Sequence, residues 1–194
     1  MDDAWKNSLW QQHGAAIEML EKAVLACPDE IWSDPSRQPQ FWYVAYHTLF
    51  FLDLYASESI AGFAPPAPFT LSELEPDSVP PDPPYTQAEL QGYLDYSRAK
   101  CWAVIDALTD ESAHRRCGIE WHDISEVELV LYSLRHVQHH SGQLYLMLRQ
   151  AIDSTPGWVK RTEWHISQRS PTDLGVSAAS LLEEERRQRE RDLG

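Results

Sequence analysis

An all-α four-helix bundle is the fold this sequence predicts. Three observations carry the prediction. Four segments repeat apolar residues at helical spacing, and two of them open with a capping box. No stretch alternates polar and apolar residues for long enough to make a convincing strand. Between the segments lie clusters of proline, which interrupt a helix and donate nothing to a sheet ladder.

The first helix is expected over residues 3–26, with Trp5, Leu9, Ile17, Leu20 and Leu25 sharing one broad face. The stretch CPDEIWSDPSRQP, with three prolines, ends that pattern. A second helix is expected from about Pro39 to Ser57 and is apolar around nearly its whole circumference. Such a helix must be covered on several sides, as at the centre of a bundle. The third opens in TQAE, where Thr86 is placed to cap and Glu89 to close the box. It continues through Leu90, Leu94, Ala99, Trp102, Ile105 and Leu108. The fourth opens in SEVE, with Ser125 and Glu128 in the same roles, and runs to about Ile152.

The connections give the expected topology. GFAPPAPFTLSELEPDSVPPDPPY joins the second helix to the third and holds eight prolines. Pro-rich chain extends by about 3.1 Å per residue, which is ample to travel back along a bundle roughly 30 Å long. Antiparallel neighbours need only a short turn, so helices two and three are expected to run parallel. This segment is then a crossover; a lid over a site is the sharper alternative. After Gly157, WVKRTEWHISQRSPTDLG reads as an irregular arm held on the bundle by Trp158 and Trp164. The bundle domain is expected over residues 1–168. Residues 169–194 are expected to form a C-terminal tail with a short solvated helix, in which Glu183–Arg187 and Glu185–Arg189 would be i,i+4 pairs.

Composition narrows the function. Hydrophobic residues make up 43% of the 194, with 8 Trp, 8 Tyr and 5 Phe, enough for a substantial core. Thirty acidic residues against sixteen basic ones give a formal charge of −14. That charge repels phosphate backbones and anionic membranes, so neither is an expected partner. Cys27, Cys101 and Cys117 are odd in number and far apart, which fits a reducing cytoplasm rather than a disulfide framework. The N-terminus MDDAWKNSLW begins acidic and lacks an apolar signal core. The apolar run FWYVAYHTLFFLDLYA is broken by His47 and Asp53 and is short for a membrane span.

The chemistry is concentrated in LRHVQHHSGQL, which puts three histidines into five positions. With His136 set at 0° on the fourth helix, His140 falls near ~40°, Leu129 and Met147 near ~20°, and His139 near ~−60°. His136 and His140 are therefore expected in the middle of the core-facing stripe, and His139 on its shoulder. An i,i+4 histidine pair can aim two imidazole nitrogens at one metal ion, although the bare HxxxH spacing is a weak motif. Paired core histidines bonded to other side chains are the plainer reading. His47, set among Tyr43, Val44, Phe50 and Phe51, is the candidate third ligand from another buried helix. His13, His114, His122 and His165 read as surface or partly packed residues, and Tyr46 and Tyr132 as core.

The stretches FWYVAYHTLFFLDLY and LYSLRHVQHHSGQL together resemble the two signature helices of the DinB/YfiT-like superfamily. The resemblance covers about residues 3–165, including the Pro-rich connector and PGWVKR after the last helix. It implies a four-helix bundle in up-down-down-up order and a metal triad on His47, His136 and His140. It also implies zinc or nickel as the metal and a dimeric assembly. Some members transfer low-molecular-weight thiols, whereas others have no assigned activity.

The residues themselves speak to that chemistry. Val137 stands where HExxH metalloproteases carry a general-base Glu, which favours thiol transfer over hydrolysis. An open metal position can bind and deprotonate a thiol directly. A hydrolase using metal-activated water, and a non-catalytic metal or small-ligand binder, are the alternatives. A purely structural bundle, its histidines bonded among themselves, is the remaining possibility. Glu18, Asp53, Glu126 and Glu128 are candidates to hydrogen-bond a ligand's second nitrogen. The fourth helix has an apolar arc about 220° wide, more than one core contact requires, which points to a homodimer interface.

Overall fold

The computed structural model describes residues 2–57, 59–75 and 79–164. Within them the chain forms α1 (Asp3–Ala26), α2 (Asp29–Trp32), α3 (Phe41–Tyr55), α4 (Gln87–Ala107), α5 (Asp110–His114) and α6 (Glu126–Ile152). A single isolated bridge, Arg116 with Ser125, is the β-type pairing found among the described residues.

Local chemistry sets the ends of the long helices. The Asp2 carboxylate accepts from the Trp5 amide at 2.9 Å and caps α1. Thr86 and Ser125 both make complete capping boxes, with Glu89 and Glu128 bonding back to the cap amides. Caps of this kind contribute about 1 kcal/mol each by satisfying amides that the helix leaves unpaired. Asp153, at φ 52°, takes the left-handed conformation that terminates α6.

α1 packs against α4 and α6, and α3 packs against the same two helices from the opposite side. Side-chain pairs give the sense of each contact. Gln87 reaches the carbonyls of Val24 and Cys27, whereas Lys6 reaches that of Asp106, so α1 and α4 run in opposite directions. His13 meets Ser133 and Met19 meets Gln138, so α1 and α6 run the same way. His47 meets His140 while Tyr55 meets Tyr132, so α3 opposes α6.

The α3–α4 contact holds a buried ionic knot. Lys100 Nζ lies 2.7 Å from Asp53 Oδ1 and 2.7 Å from Ser57 Oγ, and the Tyr93 hydroxyl donates to Asp53 Oδ2 at 2.9 Å. Each charge is matched and hydrogen-bonded, which is the condition under which burial of an ion pair is tolerated.

Residues 56–86 connect α3 to α4, and the described stretches 59–75 and 79–86 hold side chains packed into the core. Phe69 stacks on Tyr93 with centroids 4.3 Å apart, and Tyr85 lies 4.9 Å from Tyr46. Trp32 Nε1 donates to the Tyr85 carbonyl at 2.8 Å. A short 3₁₀ turn, Ser72–Leu74, brings this connector alongside α3. The structure thus makes the segment part of the core wall.

Three apolar expectations fail. Trp5 and Leu25 are each 65% exposed, because the buried face of α1 is centred on Ile17, Leu20 and Val24. Leu25 turns about 100° away from Val24, and Trp5 sits in the first turn, at the helix end. Trp158 is 68% exposed, and the arm is held instead by buried Val159, by Thr162 and by Trp164, whose ring meets Trp10 at 5.3 Å. Thr162 donates to the Gln11 carbonyl at 3.2 Å through its amide, and its hydroxyl bonds Glu18. Gly14 permits this approach: a β-carbon there would lie 2.7 Å from the Thr162 methyl. The expected helix in 169–194, and any domain boundary at 168, lie outside the described residues.

Candidate metal centre

Because α3 and α6 are antiparallel neighbours, the mid-helix histidine of one faces the HxxxH pair of the other. Ring centroids lie 5.4 Å apart for His47 and His136, 4.9 Å for His47 and His140, and 4.5 Å for His136 and His140. One nitrogen from each ring lies within 4.8 Å of the other two. A tetrahedral ion with bonds of ~2.0–2.1 Å would draw them to roughly 3.4 Å from one another.

The cluster sits at the edge of the core, not at its centre. Val137, Ser141, Leu144 and Leu148 are the fully buried residues of α6, and their stripe is centred about 100° from His136. The reason is that α6 turns this stripe to α1 as well as to α3, so the histidines fall on the shoulder beside α3. All three are half-buried. This corrects the expectation of a mid-core pair, and it leaves the cluster open on one side.

Electrostatics favours neutral rings at His136 and His140. Burial, reinforced by His140, His47 and His139, lowers the His136 pKa to about 3. His140 is also lowered, by burial first, against an opposing hydrogen bond that its ring donates to Gln143. Neutral imidazoles offer lone pairs, which is the form a metal requires.

The outer nitrogens are held in place. His47 Nδ1 lies 2.6 Å from Glu73 Oε2, and His140 Nδ1 lies 2.7 Å from Gln143 Oε1. Each bond leaves Nε2 of its ring available. His136 Nδ1 is buried with no hydrogen-bond partner, an arrangement costly to keep unless something accepts from or binds the ring. Neutral donors, two oriented rings and an orphaned nitrogen together fit a divalent ion. His139 lies outside this set: it is exposed, and its Nε2 is 3.3 Å from Gln143 Nε2.

Glu73 was not among the carboxylates singled out from the sequence. Its side chain is 3% exposed and reaches the cluster from the Pro-rich connector. The four candidates are engaged elsewhere: Glu18 with Thr162, Asp53 with Lys100 and Tyr93, Glu126 with Arg115, and Glu128 with the Ser125 cap. The one available signal was an acidic pair, Glu73 and Glu75, in a segment expected to run back beside the second helix.

His13 is the second correction. It is 1% exposed in the middle of α1, where its Nε2 lies 3.3 Å from Ser133 Oγ, and burial lowers its pKa to about 4. His122 is partly packed against Tyr132 at 4.5 Å, His114 is exposed, and His165 lies outside the described residues. Tyr46 is buried, and its hydroxyl donates to the Thr70 carbonyl at 3.1 Å; Tyr132 is half-buried against Tyr55. Cys27, Cys101 and Cys117 are free and buried, and burial beside Glu30 and Asp29 pushes the Cys27 thiol up to about 12.

A helical bundle with three converging histidines between two antiparallel helices is an arrangement compatible with metal binding. The family model described as DinB family matches residues 7–169, and the chain belongs to that family. Comparison with curated proteins and with solved structures gives no match. Among the described residues, no helix is long and apolar enough to cross a membrane.

Proposed function

We propose that this chain is a metal-dependent transferase that moves a low-molecular-weight thiol onto an electrophilic small molecule. His47, His136 and His140 would hold one divalent ion, zinc in preference to nickel. The observation that carries the reading is the half-open cluster of three imidazoles, two of them oriented through their outer nitrogens. When bound, such an ion supplies Lewis acidity that favours a thiol as its thiolate.

The chain's own residues supply orientation and shielding. Glu73 and Gln143 fix two rings, so that little ordering remains to be done on binding. Phe51, 4.8 Å from His47 and 5.6 Å from His136, and Tyr55, 5.8 Å from His136, wall one side of the cluster. Val137 is fully buried at the position where a hydrolytic base would stand, which supports a thiol over water as the nucleophile. The reading includes a cytoplasmic homodimer formed through the outer face of α6, where Leu131 and Leu146 are 46% and 57% exposed.

Elemental analysis of protein purified without added metal is the first test. About one divalent ion per chain is expected, lost in His47→Ala, His136→Ala and His140→Ala and largely kept in His139→Ala. Equal losses in all four variants would reject this ligand set. Glu73→Gln is expected to weaken metal binding by roughly 10–100-fold. Thiol-dependent turnover of an electrophilic aryl halide, abolished in His136→Ala, would support catalysis. Full metal occupancy with no turnover across a panel of thiols and electrophiles would make the protein a metal binder instead. For the assembly, sedimentation should show a dimer that Leu146→Glu converts to monomer; a monomeric wild type would reject it.

A further inference from the structure

A cavity of about 490 Å³ lies where α5 and the ends of α3, α4 and α6 meet, and the histidine cluster makes no use of it. Ala56, Val104, Leu108, Leu129 and Val130 give it an apolar floor. Arg115, Arg116 and Glu126 stand in its lining. Arg115 faces Glu126 and Arg116 faces Asp123, so each guanidinium at this end of the cavity already stands beside a carboxylate.

The arginines are engaged, but loosely. Arg115 Nε lies 2.6 Å from Glu126 and Arg116 Nε 3.0 Å from Asp123, yet both arginine side chains are 64% exposed. Exposed pairs of this kind contribute little, so an arriving anion can share or displace them at small cost. Tyr55 separates the two sites: it lines the cavity, and its ring lies 5.8 Å from that of His136. Leu129, on the cavity floor, is about 10 Å along α6 from His136.

We infer that this cavity binds a small amphipathic carboxylate, with its hydrocarbon body on the apolar floor and its head on Arg115 and Arg116. The volume falls within the range of small-molecule sites, and the planar guanidinium fork matches a carboxylate. A single negative charge fits the lining best, because a more highly charged head would also be repelled by Glu126. The site stands independently of the metal-dependent transferase reading.

Calorimetric titration of the full chain with straight-chain carboxylates, from butanoate to dodecanoate, tests this. Affinity is expected to rise about fourfold per methylene, then level off as the body fills the cavity. Octanoate binding should weaken by about tenfold in Arg115→Gln/Arg116→Gln, which removes the charge-assisted bonds. It should also weaken in Ala107→Phe, which narrows the cavity from the exposed end of α4, and persist in His140→Ala. Failure of every member of the series to bind, or affinity indifferent to chain length, would overturn the proposal. So would equal binding by the double arginine variant, or loss of binding in His140→Ala, which would place the carboxylate on the histidine cluster.

Discussion

His13 is a titratable group carried uncharged into the core, and that has a consequence for acid stability. Its pKa in the folded chain, about 4, lies below the ordinary 6.5 because burial disfavours the imidazolium. As pH falls, the unfolded chain therefore takes up this proton first. The contribution is present in full above about pH 6.5 and is lost as pH drops toward 4. Between pH 7 and pH 5 the loss should be about 2 kcal/mol. Urea unfolding at those two pH values should show His13→Gln losing less stability than the wild type by about that amount. Identical losses would mean that His13 is not the source. In the sequence, His136 and His140 were legible because their spacing repeats the helix turn, and His47 because it interrupts an apolar run. His13 was not, since no neighbour in QQHGAA distinguishes a packed polar face from a wet one. Glu73 was hidden for a different reason: its contact depends on the path of an irregular segment, which no periodicity describes.

At the scale of the element, helix starts were the most legible feature. Thr86–Glu89 and Ser125–Glu128 close their boxes as written in the sequence, because the cap depends on residues only three apart. Which face a helix buries is a tertiary property, and there the reading of α1 and α6 slipped. Gly14 and Gly142 show the same division in testable form. Alanine has a helix propensity about 1 kcal/mol better than glycine, so Gly142→Ala, with nothing within 4 Å of its β-carbon, should stabilise by up to that amount. Gly14→Ala places its β-carbon 2.8 Å from Thr162 Cβ, an atom tied to backbone and unable to swing aside. It should destabilise the chain or free the arm, seen as faster proteolysis within residues 157–164 and altered fluorescence of the Trp10–Trp164 pair. A stabilised Gly14→Ala with an unchanged arm would contradict the close packing described for Thr162.

Across the whole molecule, the crossover between α3 and α4 could be foreseen from its length and prolines, but its role as a wall could not. Phe63, Phe69 and Tyr85 carry it into the core, and the Lys100 ammonium sits 5.7 Å from the Phe63 ring. Lys100→Met would strand the Asp53 carboxylate in that interior, at a cost of about 3–5 kcal/mol in the unfolding free energy. A variant as stable as the wild type in denaturant would show that Asp53 is adequately served without Lys100, by Tyr93 among its remaining partners. The three cysteines bear on the molecule as a whole in another way. Each is buried and unpaired, and burial raises the pKa of Cys27 and of Cys101, which keeps those sulfurs in the unreactive thiol form. A catalyst that brings thiols and electrophiles together risks being alkylated by its own substrate. Under the proposed thiol transfer, the three buried cysteines would be withdrawn from that traffic, and the thiol that meets an electrophile would be the one delivered to the site.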